Sequence, residues 1–236
     1  MSSFQNITAS DGFVLPVYVA QPVGPAKGAI VVLQEIFGIN SHIQAVADSY
    51  AAQGYLAIAP STFHRIKADI NLGYTADDVQ AGIALKTAAE AIQPQVMQDV
   101  QAAVDFASKQ LPANAKIGVV GYCWGGLLTW RAAEMVKGIS AAVPYYGGGM
   151  TVGNEPKRQP KIPVMVHFGD QDTSIPLDTA LAFQAAQPKV DVQIYAANHG
   201  FNCDHRGAYN APAAELALKR TLDFFTIYLG YVTITC

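Results

Sequence analysis

The sequence predicts an α/β fold with a mostly parallel central sheet, helices on both faces and an antiparallel hairpin at the N-terminus. Three observations lead to this prediction. Continuous apolar runs such as residues 29–33 are typical of strands covered on both faces. These runs alternate with segments of helical periodicity, which favours parallel strand–helix units. An Asp11-Gly12 turn separates two strand-like segments near the start, which indicates a hairpin.

Each strand of this prediction is a short apolar run bounded by glycine, proline or polar residues. The predicted strands are residues 7–9, 14–20, 29–33, 55–59, 141–146, 163–168 and 191–195, with one more directly before Gly121. Pro16 favours an edge position for the second strand, because proline cannot donate to a sheet ladder.

Four helices are predicted between the strands and at the C-terminal end. Residues 43–53 form the first, and Gly54 closes it. Pro94 opens the second, in which valines recur every four residues, and the third follows Cys123. The last helix, residues 213–229, carries apolar side chains at helical spacing. Residues 60–93 show little periodicity, and such long irregular connections usually carry function or a lid.

Composition limits the classes of function. The chain has 236 residues, a formal net charge of −3 and no basic stripe, so we expect no nucleic-acid partner. The N-terminus lacks a signal-peptide layout, and no apolar run approaches the roughly 20 residues that cross a bilayer. We therefore expect one cytoplasmic domain spanning residues 1–236, with no membrane partner, as a monomer or weak dimer. Its three cysteines, Cys123, Cys203 and Cys236, fit a reducing compartment. No ligand spacing suggests a metal.

The stretch from Gly121 to Gly125 is the most informative. Gly121-Tyr122-Cys123-Trp124-Gly125 follows an apolar strand and precedes a helical pattern. Glycines two residues before and after a central residue permit a sharp strand-to-helix turn that exposes the central side chain at the carboxyl edge of the sheet. Because that side chain is a thiol, the pattern indicates a hydrolase with a cysteine nucleophile. The alternative is a small buried cysteine that packs at a tight junction.

Two later loops supply the partners that a thiol nucleophile needs. Asp172 follows the strand at 163–168, and His199 follows the strand at 191–195. The chain order nucleophile, acid, histidine is that of α/β-hydrolases. His199 would take the thiol proton and Asp172 would orient the imidazole, with Asp170 as a rival acid. The backbone N–H groups of Trp124 and Ile36 are the expected oxyanion donors.

Several stretches together resemble the dienelactone hydrolase family, the carboxymethylenebutenolidases. They are residues 34–40, 121–126, 169–172, 199–201 and 220–225. The resemblance implies an α/β-hydrolase fold, a Cys-His-Asp triad and hydrolysis of an unsaturated lactone without a cofactor. It also implies that Glu35 lies beside Cys123 and takes the thiol proton as substrate enters. From the residues alone, Glu35 could equally be a solvated loop carboxylate.

One position departs from the family pattern. Family members carry an arginine four residues after the histidine, which pairs with the glutamate and binds a substrate carboxylate; here that position is Cys203. Arg206, seven residues after His199, could serve instead, and Phe37 and Tyr145 are further candidates for contact with substrate. The expected substrate is a small ester or lactone.

Three alternatives stay open. A broad carboxylesterase or thioesterase would show no lactone preference. Glutamine amidotransferases also use Gly-x-Cys-x-Gly, although Gly200 and Phe201 follow the late histidine here instead of a His-x-Glu pattern. A non-catalytic binding or redox-sensing module is the alternative from another class.

Overall fold

The computed structural model describes residues 2–230, so Met1 and Cys236 lie outside the described residues. Its strands are β1 (Ser2–Thr8), β2 (Val14–Ala20), β3 (Ala29–Leu33), β4 (Leu56–Pro60), β5 (Ile117–Tyr122), β6 (Ala141–Tyr145), β7 (Met165–Gly169) and β8 (Asp191–Tyr195). They form one sheet in the order β1-β2-β4-β3-β5-β6-β7-β8. From β4 to β8 all pairings are parallel, while β1–β2 and β2–β4 are antiparallel. The predicted parallel sheet with an N-terminal hairpin is confirmed.

Helices lie on both faces of the sheet. They are α1 (Ser41–Ala52), α2 (Ala76–Ala91), α3 (Gln93–Lys109), α4 (Trp124–Met135), α5 (Leu177–Ala186) and α6 (Ala211–Leu229). On one face α1 meets α6 through the rings of Tyr50 and Phe225. On the other, α2 meets α4 through an ion pair between Glu90 and Arg131. β3, β4, β5 and β6 are buried along their whole length, as continuous apolar runs require.

The expectation that Pro16 marks an edge strand is wrong. β2 lies between β1 and β4, and β1 is the edge. The proline is tolerated because only Val17–Ala20 pair with β4, so Pro16 lies one residue outside that ladder. Its carbonyl still accepts a hydrogen bond from the N–H of Ser61 at 3.0 Å. The backbone N–H that proline lacks would therefore lie just beyond the end of the β2–β4 ladder, where no partner strand needs it.

The expectation of an irregular segment over residues 60–93 is wrong for its second half, which forms α2. Thr75 and Asp78 form a capping box at its start. The apolar pattern is weak because only Gly82 and Ala89 are buried. Alanine, leucine, lysine and glutamate have high intrinsic helix propensity, so α2 forms without a wide apolar face. The sequence prediction also omitted α5. Within residues 2–230, no helix is long and apolar enough to cross a bilayer.

Candidate active site

Four loops at one edge of the sheet bring the predicted site residues together. β3 precedes Glu35, β5 precedes Cys123, β7 precedes Asp172 and β8 precedes His199. These strands are parallel and lie in the part of the sheet ordered β3-β5-β6-β7-β8. The loops after them therefore share the carboxyl edge, where ligands bind in open α/β sheets.

Cys123 lies on a strained turn between β5 and α4. Its backbone has φ 55° and ψ −119°, a conformation that costs a non-glycine residue free energy. A side chain at Gly121 would place its Cβ 2.1 Å from the Gly125 carbonyl oxygen, and one at Gly125 would lie 2.3 Å from the Leu33 carbonyl oxygen. Both glycines are therefore required by close backbone packing. The turn leaves the Cys123 side chain partly exposed at the N-terminus of α4.

His199 is bound to Asp172 through a short hydrogen bond. Nδ1 of His199 lies 2.7 Å from Oδ2 of Asp172. The other carboxylate oxygen accepts the N–H groups of Ser174 at 2.7 Å and Ile175 at 3.0 Å. Asp172 is buried, whereas Asp170 is exposed. Of the two aspartates predicted as possible acids, Asp172 is the one that contacts His199, and its orientation is fixed by two backbone donors.

The imidazole of His199 interacts with Cys123 as well as with Asp172. Burial lowers the pKa of His199, but the charge of a Cys123 thiolate and the hydrogen bond to Asp172 raise it more, to about 10. The protonated imidazole is thus favoured beside the Asp172 carboxylate, and more so when Cys123 is a thiolate. Asp172 is hydrogen-bonded to His199, and Cys123 lies close enough to influence the charge of the same imidazole.

The two backbone N–H groups predicted as oxyanion donors belong to Trp124 and Ile36. The Trp124 N–H is the first of α4, and the Ile36 N–H lies in the loop after β3. In the described part of the chain neither donates to a protein acceptor. Trp124 is held by a stacked contact with Phe63, with ring centroids 4.7 Å apart, and by a 2.7 Å hydrogen bond from its indole N–H to Glu90.

The loop that carries Ile36 is held by α2 and the segment before it. A Cβ on Gly82 of α2 would lie 2.5 Å from the Ile36 carbonyl oxygen, so α2 packs directly on this loop. The N–H of Leu72 donates to the carbonyl of Phe37 at 2.9 Å. Residues 60–93 therefore support the loop between β3 and α1, including the Ile36 N–H.

Glu35 is fully buried, which excludes a solvated loop carboxylate. Its Oε1 accepts a hydrogen bond from Nη1 of Arg206 at 3.3 Å, and its Oε2 accepts one from the hydroxyl of Tyr74 at 3.3 Å. Burial and then the charge of Glu35 raise the pKa of Tyr74, so the phenol stays a donor. Glu35 is therefore a buried carboxylate held by one cation and one hydroxyl.

Sequence comparison identifies the family. The family model of the dienelactone hydrolase family matches residues 15–229. The chain belongs to the dienelactone hydrolase family. As a member of this family it is a hydrolase that acts on ester bonds.

Curated relatives agree with this assignment over nearly the whole chain. A Salmonella typhimurium protein provisionally named carboxymethylenebutenolidase is 34% identical over 236 residues, covering 94% of this chain and 86% of its own. The Pseudomonas putida carboxymethylenebutenolidase is 32% identical, with 93% of this chain and 94% of its own covered.

A solved structure supports the same assignment. A Klebsiella pneumoniae protein provisionally named dienelactone hydrolase has a TM-score of 0.81 and 28% identity. The match covers 97% of this chain and 99% of the Klebsiella chain. The α/β-hydrolase fold expected from the resemblance is therefore confirmed.

Arg206 reaches Glu35 although it is displaced along the sequence from the position expected in a dienelactone hydrolase. Cys203, at the expected position, is fully buried. The turn after His199 brings Arg206 back over Gly200, where a Cβ would lie 2.5 Å from the Arg206 guanidinium. That guanidinium lies 5.9 Å from the ring centroids of Phe37 and Tyr74. A cavity of about 250 Å³ is lined by Phe37, Tyr74, Val79, His205, Arg206, Gly207 and Ala208.

The two tyrosines at the end of β6 point in different directions. Tyr145 is buried and its hydroxyl lies 2.6 Å from Oγ1 of Thr221, while its ring contacts the buried His167. Tyr146 has φ 35°, and its ring centroid lies 5.2 Å from that of His199. Its buried hydroxyl has no hydrogen-bond partner within residues 2–230. We predicted Tyr145, and not Tyr146, as a candidate for contact with substrate. The positive φ that turns Tyr146 toward His199 has no signature in the sequence.

Larger clefts lie away from these loops. One of about 460 Å³ is lined by residues of 159–164 and 186–190, together with Tyr228. Among the described residues, its only charged side chains are Lys161 and Lys189, so they supply no nucleophile and base that could act together. The hydrogen-bonded group at the carboxyl edge of the sheet therefore decides the location of the candidate site.

Proposed function

We propose that this dienelactone hydrolase family member cleaves small esters or lactones through an acyl-enzyme on Cys123. The Cys123 thiolate attacks the substrate carbonyl, and the resulting tetrahedral oxyanion collapses to a thioester. The expelled alkoxide takes a proton from His199; in a lactone it stays tethered to the acyl group. His199 then takes a proton from water, which attacks the thioester and releases the carboxylic acid.

The hydrogen bond between His199 and Asp172, on an imidazole that Cys123 also influences electrostatically, is the observation that carries this proposal. A thiol becomes a nucleophile only as the thiolate, and the raised pKa of His199 supports an imidazolium that stabilises it. Asp172 fixes the ring with Nδ1 protonated, which leaves Nε2 for the reacting groups. The free N–H groups of Trp124 and Ile36 supply the charge stabilisation that the tetrahedral intermediate needs.

We propose that Glu35 controls when the thiolate forms. Arg206 holds the carboxylate of Glu35 while the substrate site is empty. A substrate carboxylate that binds Arg206 weakens this ion pair and makes Glu35 a stronger base. Glu35 then accepts the Cys123 proton at the moment the ester arrives. Between turnovers the thiol stays neutral and resists oxidation.

The substrate class follows from the same ion pair. Arg206 is partly exposed, and Phe37 and Tyr74 present ring faces close to it. A small, flat, unsaturated lactone that bears a carboxylate would fit these groups. Cys203 favours a second candidate, a broad carboxylesterase or thioesterase, because it supplies no charge where the family pattern has an arginine. We also propose that the protein is cytoplasmic and that it is a monomer or a weak dimer.

A substrate comparison tests the proposed function. We expect an anionic dienelactone to be hydrolysed with a higher kcat/KM than a neutral ester of similar size. In the Arg206→Ala variant the ratio of the two kcat/KM values should fall about 10- to 100-fold, the worth of a hydrogen bond between charged groups. Removing Arg206 also frees Glu35 for both substrates, so the anionic substrate loses the advantage of releasing Glu35 as well as its own ion pair, and both effects lower the ratio.

The matched control for this comparison is Lys219→Ala, which removes a positive charge that is 71% exposed on α6. It should leave the ratio unchanged. An anionic preference that survives in Arg206→Ala, or one that is absent from the wild type, would favour the broad esterase instead.

Replacing Glu35 with glutamine tests the proposed proton transfer. Glutamine keeps the shape and can still accept from Tyr74, but it cannot take a proton. We expect the acylation rate to fall on the order of 100-fold while substrate affinity changes little. Stopped-flow traces with a chromogenic ester measure both quantities. An unchanged acylation phase would remove Glu35 from the mechanism.

A further inference from the structure

Three buried side chains of different chemistry converge behind the Glu35–Arg206 pair. They are Glu35, His42 in the first turn of α1, and Cys203 in the turn after His199. One carboxylate oxygen, one ring nitrogen and the sulfur all lie within 4.8 Å of one another. Each residue is at most 3% exposed.

His42 shows that this cluster is not satisfied by the protein alone. Its Nδ1 lies 3.6 Å from Oδ1 of the exposed Asp204. Its Nε2 is buried and has no hydrogen-bond partner among the described residues. A buried polar atom without a partner costs free energy, so an unfilled nitrogen here points to a ligand.

We propose that Glu35, His42 and Cys203 form a binding site for a thiophilic divalent metal ion such as Zn²⁺, and that the bound ion inhibits the hydrolase. A thiolate, an imidazole and a carboxylate are the ligands of tetrahedral zinc, with a water molecule as the fourth. Around such an ion the ligand atoms lie roughly 3.3–3.8 Å apart, so the three side chains need to close by about 1 Å.

The surroundings suit a metal ion in charge and in orientation. Binding replaces the Cys203 S–H bond with a metal–sulfur bond, and the proton leaves to solvent. Three negative charges, on Glu35, the Cys203 thiolate and Asp204, then balance the two positive charges of the ion and the one on Arg206. Burial also lowers the pKa of His42, which keeps the imidazole neutral and able to coordinate.

Asp204 occupies the position of the carboxylate that commonly orients a metal-bound histidine through its second nitrogen. Asp204 and His205 are both exposed, and their side chains lie 3.7 Å apart. Together they give an ion an entry path from solvent to the buried ligands.

Inhibition follows from the dual use of Glu35, and this part of the inference rests on the proposed function. A carboxylate bound to a metal ion cannot accept the proton of Cys123. The ion also competes with Arg206 for the same carboxylate, which disturbs the proposed contact with substrate. The site would therefore make hydrolysis sensitive to free zinc.

Cobalt binding to a chain that lacks Cys123 tests the site independently of catalysis. In a Cys123→Ala background we expect one Co²⁺ per chain, with a thiolate-to-cobalt charge-transfer band. Cys203→Ser and His42→Asn in that background should abolish the band. His64→Asn, a histidine outside the cluster, should keep it. Absence of the band, or its survival in the Cys203→Ser variant, would overturn the metal site.

Zinc inhibition of the chain with Cys123 intact tests the functional part. We expect Zn²⁺ to inhibit ester hydrolysis reversibly, with a chelator restoring activity. The inhibition constant should rise at least about tenfold in His42→Asn, the loss expected for one ligand. Equal zinc sensitivity in wild type and His42→Asn would place the inhibiting ion on Cys123 and His199 and would reject the inference. Failure of the proposed mechanism would leave the cobalt result unaffected.

Discussion

The Cys123→Ala variant is expected to lose at least on the order of 10⁴-fold in kcat/KM for a small ester while it keeps its fold. Alanine has no atom that could form the acyl-enzyme on which the proposed mechanism depends. Alanine also fits the turn, since its side chain is smaller than that of Cys123 and the strain at this position lies in the backbone. Steady-state kinetics with p-nitrophenyl acetate measure the loss, and circular dichroism checks the fold.

Cys123→Ser provides the matched comparison. It keeps a nucleophilic atom in the same place but raises the pKa of the attacking group, so we expect weak activity that increases with pH. A Cys123→Ala variant that retains most of its activity would reject Cys123 as the nucleophile. If the wild type hydrolyses the ester and the folded Cys123→Ala variant does not, hydrolysis depends on this thiol. That result would exclude the alternative of a non-catalytic binding module.

Asp172→Asn is expected to lower kcat about 10³- to 10⁴-fold through the tautomer of His199. The asparagine oxygen can still accept the N–H groups of Ser174 and Ile175. Its amide nitrogen then faces Nδ1 of His199 as a donor, which moves the ring proton to Nε2. An imidazole with a proton on Nε2 cannot take the proton of the water that attacks the thioester. Loss of the carboxylate should also lower the pKa of His199 and shift the pH–rate profile.

Asp170→Asn is the matched control for this variant. Asp170 lies two residues earlier in the same loop, but its side chain is exposed and it is Asp172 that contacts His199. We expect close to wild-type kcat and an unchanged pH–rate profile. His199→Ala should lose as much activity as Cys123→Ala, because the residues act as a unit. A larger loss of kcat in Asp170→Asn than in Asp172→Asn would show that Asp170, and not Asp172, is the acid of the triad.

The sequence predicted those parts of the molecule in which one local pattern permits one structure. The buried strands β3 to β6 consist of apolar runs that only a covered sheet can accommodate. Gly121 and Gly125 leave room for carbonyl oxygens that any side chain would strike, so the turn at Cys123 follows from them. Strand ends place Asp172 and His199 at the same edge, because parallel strands share their direction.

The remaining features depend on contacts that no local pattern records. Pro16 lies inside the sheet because the β2–β4 ladder happens to stop one residue after it. α2 is exposed on most of its surface, so it lacks the periodic apolar face by which helices are recognised. Arg206 meets Glu35 across 171 residues of sequence, through the path of one loop. Tyr146 turns toward His199 through a positive φ that nothing in its neighbours required.

Direct capture of the acyl group is the sharpest test of Cys123 as the nucleophile. The wild-type chain is mixed rapidly with an activated ester, quenched in acid and digested. The masses of the peptides are then measured by mass spectrometry. We expect a burst of about one leaving group per chain and a thioester on the peptide that contains Cys123. Steady turnover with that peptide unmodified at every quench time, or an acyl group on another residue, would contradict it.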